Sequence, residues 1–84
     1  MAKLLHFTAI WCKPCERIKP IIEQYVAENP NVEYEQVDVD TAFDKAEEYG
    51  VMSIPTLISV DNDNKIIKRH TGIATKDEIE KLFN

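Results

Sequence analysis

Residues 11–15 read Trp-Cys-Lys-Pro-Cys, directly after the apolar run Leu4-Leu5-His6-Phe7. A buried strand that runs into two cysteines three apart, at the start of a helix, leaves few folds open. It puts a dithiol at the end of a sheet. The first cysteine then sits where unpaired backbone N–H groups and the helix dipole favour a thiolate. The second lies one turn further in, within reach of a small disulfide ring. The arrangement points to thiol–disulfide exchange, because closing so short a loop does little to restrict the unfolded chain.

Eighty-four residues suit one domain, spanning 1–84, with a small core. No apolar run is long enough to span a membrane. Met1-Ala2-Lys3 and the apolar stretch after it imitate a signal peptide only weakly, since the stretch contains His6 and leads into the dithiol. A cytoplasmic protein is expected, and in a reducing compartment a lone cysteine pair points to catalysis or metal binding. The net charge of −5 offers no basic stripe for nucleic acid. Zinc wants four ligands, and beyond the two cysteines only His6 and His70 are available, so no metal site is expected.

The coarse order of elements follows from periodicity and punctuation. Lys3 to Thr8 reads as a strand. A helix opens at Cys12 or Lys13 and runs to about Glu28, with Ile18, Ile21, Ile22, Tyr25 and Val26 on one face and a kink expected at Pro20. Val32 to Asp38 reads as a strand whose Glu33 and Glu35 suit a sheet edge. Thr41 is expected to cap a short helix that ends near Tyr49, with Gly50 as its stop. Thr56 to Val60 and Lys65 to His70 read as a hairpin around Asp61-Asn62-Asp63-Asn64. Thr75 to Glu78 is a capping-box pattern opening a last helix with Ile79, Leu82 and Phe83 facing inward. The predicted fold is α/β, β-α-β-α-β-β-α: a four-stranded mixed sheet flanked by three helices, its first two strands parallel through a right-handed crossover.

With this order the chain resembles the thioredoxin family over nearly its whole length. Trp11-Cys12-Lys13-Pro14-Cys15 matches the active-site segment, Pro20 the helix proline, Ile54-Pro55-Thr56 the cis-proline segment, and Thr71-Gly72 the glycine loop. The resemblance implies a thioredoxin-like fold without the extra strand and helix that precede the motif strand in a typical member, a minimal architecture similar to glutaredoxins. Departures from the family pattern fall at His6, where the family has a buried Asp, at Gln36 for its Lys, at Lys13 for Gly, and at Glu16 for Lys.

The expected activity is reduction of protein disulfides, with Cys12 as nucleophile and Cys15 as the resolving, less accessible thiol. Lys13 and Pro14 support the pair, Lys13 as a neighbouring cation opposed by Glu16. No bound cofactor is expected, only the redox-active Cys12–Cys15 disulfide. The expected partners are disulfide-containing proteins and a thioredoxin-reductase-type flavoprotein, with the chain a monomer. The resemblance further implies substrate pairing to the Ile54 backbone beside a cis Pro55. From the residues alone, Pro55 is equally a strand-start proline. Trp11 is a flat apolar contact for partners or a ring packed beside the helix. Gly72 is a close-approach glycine or an ordinary turn. His6 is a core histidine with a satisfied hydrogen bond, or the base for Cys15, for which its reference pKa near 6.5 is suited. A glutathione-linked enzyme and a non-catalytic docking module are the alternatives. Against the first, the chain lacks the Thr-Val-Pro segment and the Gly-Gly-Asp-type turn that such enzymes use on glutathione, having Ile54-Pro55-Thr56 and Gly72-Ile73 instead; the second predicts activity without the cysteines.

Overall fold

The computed structural model describes residues 2–84. Its elements are β1 (Ala2–Thr8), α1 (Lys13–Glu28), β2 (Val32–Asp38), α2 (Phe43–Glu48), β3 (Thr56–Val60), β4 (Ile66–Thr71) and α3 (Lys76–Lys81). The sheet order is β2-β1-β3-β4. β1 and β2 are parallel, while β3 runs antiparallel to both β1 and β4. The expected four-stranded mixed sheet with three helices is therefore the observed one.

Strand alternation divides the core in two. Leu4 and Leu57 point to one face, where Ile18, Ile22 and Tyr25 of α1 meet Ile79 and Leu82 of the α3 segment. Leu5, Phe7, Ile58 and Val60 point to the other, against Ala46 of α2, with Tyr49 and Val51 packed around them. Both faces of the central strands are thus covered, which is why β1 and β3 read as nearly continuous apolar runs and not as alternating ones. Thr56, at its start, and Ser59 are the polar residues of β3. Ser59 is the one inside the apolar run. Fully buried on the α3 side, it donates to Leu82 O at 2.6 Å and lies 3.3 Å from Lys68 O. It also accepts from Lys68 N at 3.1 Å.

Three local expectations are corrected. Thr41 does not cap α2: residue 42 occupies the N-cap without a side-chain bond, and the Thr41 hydroxyl donates to Asp38 O instead. The last strand begins at Ile66 and extends to Thr71, because Lys65 is held in the turn. Its N–H donates to Asp61 Oδ1 and its carbonyl accepts from Asp61 N. The first strand starts one residue earlier, at Ala2, which pairs with Val32. α1 runs through Pro20 as one helix. The Thr75–Glu78 capping box is present in full, with both reciprocal bonds made.

Candidate functional site

β1 ends at Thr8, and a tight turn, Cys12 N to Ala9 O at 3.1 Å, carries the chain into α1. Cys12 is the helix N-cap, a position usually taken by Ser, Thr, Asp or Asn. Here sulfur does that work: Cys12 Sγ accepts the Cys15 backbone N–H at 3.2 Å. Pro14 sits in the first turn, where a missing N–H costs nothing because those donors have no partner within the helix. One turn separates the cysteines, their Cα atoms are 5.3 Å apart, and they form a disulfide.

The expected nucleophile Cys12 is shielded along with Cys15. Both are buried in the disulfide form, at 4% and 1% exposure. Ala9 joins them in a small apolar cluster, and Val39 and Ile54 pack against it. Segments after β2 and before β3 thus close over the dithiol, which no pattern local to residues 11–15 could reveal.

The remaining site residues surround this cluster. The Ile54–Pro55 peptide is cis. Pro55 O accepts the Gly72 N–H at 2.8 Å, tying the glycine loop to the cis-proline segment. Gly72 adopts φ +97°, a conformation that L side chains rarely take. Trp11 is 64% exposed, and its indole Nε1 donates to Asp40 Oδ2 at 2.8 Å. Lys13 and Pro14 are exposed beside the disulfide.

His6 lies buried beneath this surface. Its Nδ1 is 3.1 Å from the Tyr34 hydroxyl, while Nε2 has no hydrogen-bond partner among the described residues. Burial, aided by the Lys19 cation, pushes its pKa down to about 4. The Tyr34 hydroxyl is pushed up to about 12, first by burial and then by Glu23. The pair is therefore neutral at physiological pH. Among the described residues no hydrogen bond joins His6 to Cys15, and no group of His, Cys, Asp and Glu stands together as metal ligands. No helix among them is long and apolar enough to cross a membrane.

Sequence reasoning missed Asp40, Val39, Phe43 and Met52. With Trp11 and Ile54 they line one groove beside the disulfide. The only signal was the exposed apolar character of Phe43 and Met52 within a segment otherwise rich in carboxylates.

Comparison with known proteins agrees with this geometry. The thioredoxin family model matches residues 1–84. A thioredoxin of Chlamydia trachomatis is 42% identical over 81 residues, covering 96% of this chain and 78% of that protein. The Bacillus subtilis thioredoxin is 37% identical, with the same coverage of both chains. Among solved structures, Fasciola hepatica thioredoxin superposes with a TM-score of 0.88 at 33% identity, covering 98% of this chain and 78% of its own. A Nicotiana alata thioredoxin gives 0.88 at 35% identity, covering 95% of this chain and 68% of its own. The chain belongs to the thioredoxin family and is a thiol–disulfide oxidoreductase whose redox-active disulfide is Cys12–Cys15.

Proposed function

We propose that the chain acts as one domain, residues 1–84, and as a monomeric cytoplasmic reductant of disulfides in other proteins. Cys12 is the nucleophile. Its thiolate attacks one sulfur of the target, a Cys12–substrate disulfide forms, and the first substrate thiolate leaves. Cys15 then loses its proton and attacks Cys12 Sγ. The mixed disulfide breaks, the second substrate thiolate leaves and takes up a proton, and Cys12–Cys15 is the oxidised product. A thioredoxin-reductase-type flavoprotein returns the two electrons.

The observation that carries this reading is the Cys15 N–H donated to Cys12 Sγ at the start of α1. The same N–H and the helix dipole favour a thiolate there. Lys13 adds a cation beside Cys12, and Pro14 keeps the first turn rigid. The Trp11 ring, the Ile54 backbone, Pro55 and Gly72 form the surface that receives the substrate, supported by the 2.8 Å bond between Gly72 N and Pro55 O. His6 serves as a neutral core residue. A group with its pKa near 4 is poorly matched to accept a thiol proton at neutral pH.

The test is trapping. Cys15→Ser incubated with a disulfide-bonded protein is expected to stop at a covalent Cys12–substrate disulfide visible on non-reducing gels. Cys12→Ser is expected to give none. The wild-type couple is expected to titrate as a two-electron transition near the thioredoxin value of about −270 mV. Turnover that survives loss of Cys12, or that proceeds with glutathione alone as reductant, overturns the reading.

A further inference from the structure

One feature of this chain lies outside the chemistry of the dithiol. Residues 38–48 carry five carboxylates and one lysine, a net charge of −4 out of −5 for the whole chain. That segment forms one wall of the groove beside the disulfide.

The groove holds about 470 Å³. Its rim is apolar and exposed: Trp11 at 64%, Phe43 at 66% and Met52 at 97%. Its floor includes Val39, Ala46 and Ile54. Val39 and Ile54 also pack against the Cys12–Cys15 cluster, so the groove adjoins the reacting sulfurs directly. Three large apolar side chains left in water around one concavity mark a place where apolar surface is to be covered.

The charges select what covers it. Asp40 lines the groove. On α2, Glu47 follows Phe43 by four residues and so lies on the helix side next to this groove-lining ring, with Asp44, three residues before it, as its neighbour on the flank. Among the described residues no ion pair engages Asp44, Glu47 or Glu48. The one lysine of the segment, Lys45, is paired with Glu35 of β2. Arg69 donates to the Tyr49 and Gly50 carbonyls and forms none of the ion pairs among the described residues.

We propose that this groove makes the enzyme selective for substrate segments carrying a bulky apolar residue and a lysine or arginine beside the target cysteine. The apolar side chain covers Phe43 and Met52, and the cation meets Asp44 and Glu47. The inference rests on the disulfide-reductase reading and adds a substrate class to it.

The experiment uses the reduced full chain and three short peptides whose single cysteine carries a thionitrobenzoate disulfide, with flanks Leu-Lys, Leu-Glu or Ser-Lys. Each second-order rate is divided by the same protein's rate with bis(2-hydroxyethyl) disulfide, which cancels any change at the dithiol itself. The Leu-Lys peptide is expected to react about fivefold faster than Leu-Glu at low salt. The gap is expected to close between about 0.02 and 0.5 M salt. Ser-Lys is expected to lose the advantage that burial of leucine provides. Asp44→Asn with Glu47→Gln is expected to level Leu-Lys and Leu-Glu, whereas Glu33→Gln, the same kind of change on the far part of β2, keeps the wild-type order. Equal normalised rates for the three peptides, or an order that survives the double variant, overturns the proposal. So does self-association of the wild type at assay concentration that buries Phe43. A chain inert toward the hydroxyethyl disulfide instead overturns the oxidoreductase reading beneath it.

Discussion

The Trp11 indole donates to Asp40 Oδ2 at 2.8 Å, joining the loop that follows β1 to the loop that follows β2. Asp40 is itself oriented: its N–H donates to Asp38 Oδ1 at 2.9 Å. The ring that flanks the dithiol is therefore fixed by a segment 29 residues away in sequence.

Asp40→Ala should free that ring. The bond is exposed to water, so the loss of stability is expected to be about 1 kcal/mol or less by urea unfolding. Trp11 emission in the folded protein is expected to change and its anisotropy to fall. Unchanged anisotropy would mean that packing, not Asp40, orients the indole.

His6 makes stability depend on pH in a defined window. Its pKa is about 4 in the folded chain against about 6.5 unfolded. Above about 6.5 neither state holds the proton. As pH falls toward 4 the unfolded chain takes it up and the folded chain does not, so stability is lost on acidification across that window. A difference of about 2.5 units corresponds to roughly 3 kcal/mol. Glu28, Glu35 and Glu78, held below the usual carboxylate range by Lys76, Lys45 and the Thr75 backbone respectively, add their own loss at lower pH. The comparison is therefore made between pH 5 and pH 7.5. His6→Leu is expected to flatten the slope there, and an unaltered slope would assign it to other groups.

Gly72→Ala isolates a backbone cost. An added Cβ meets nothing within 4 Å among the described residues, so no clash is created with them. The φ of +97° remains, and for an L side chain it is expected to cost about 1–2 kcal/mol, read from the urea midpoint. A neutral result would mean that the loop relaxes to negative φ, and the Gly72 N to Pro55 O bond would be lost with it.

Ser59→Ala removes a hydroxyl that serves β4 and the end of α3 at once. It leaves the buried Leu82 carbonyl and Lys68 N–H short of a partner, at an expected cost of about 1–3 kcal/mol. Hydrogen exchange at Lys68 is expected to accelerate relative to the β1–β3 amides.

Much of the fold was legible because its signals are short-ranged. The capping box of α3 spans four residues and is made as read. Asp61 closes the hairpin turn with its own side chain, accepting from the Asp63 and Lys65 amides, and Asn64 takes the positive φ of 61°. The misread cap of α2 failed for a related reason. Thr41 had a second local acceptor, Asp38 O, and the Asp38–Ala42 backbone turn put that acceptor in reach. The site was half legible. The dithiol, its helix start and the cis-proline segment were visible in residue order, whereas Asp40, Phe43 and Met52 carried no motif.

What the sequence determined by itself was the chemistry and the scaffold: a dithiol on a strand-to-helix junction, in the element order of the thioredoxin family. Each depends on contacts between residues within about a turn, or on periodicity along one element, and both can be read from a string. The tertiary structure decided the rest. It buried Cys12 under Val39 and Ile54, left His6 Nε2 without a partner among the described residues, and gathered Trp11, Phe43 and Met52 around one groove. Those outcomes depend on which face of β1 packs on which helix and on how two loops meet above the sheet. Burial and the electric field at a group are set by all its neighbours in space, and most of those neighbours are distant in sequence.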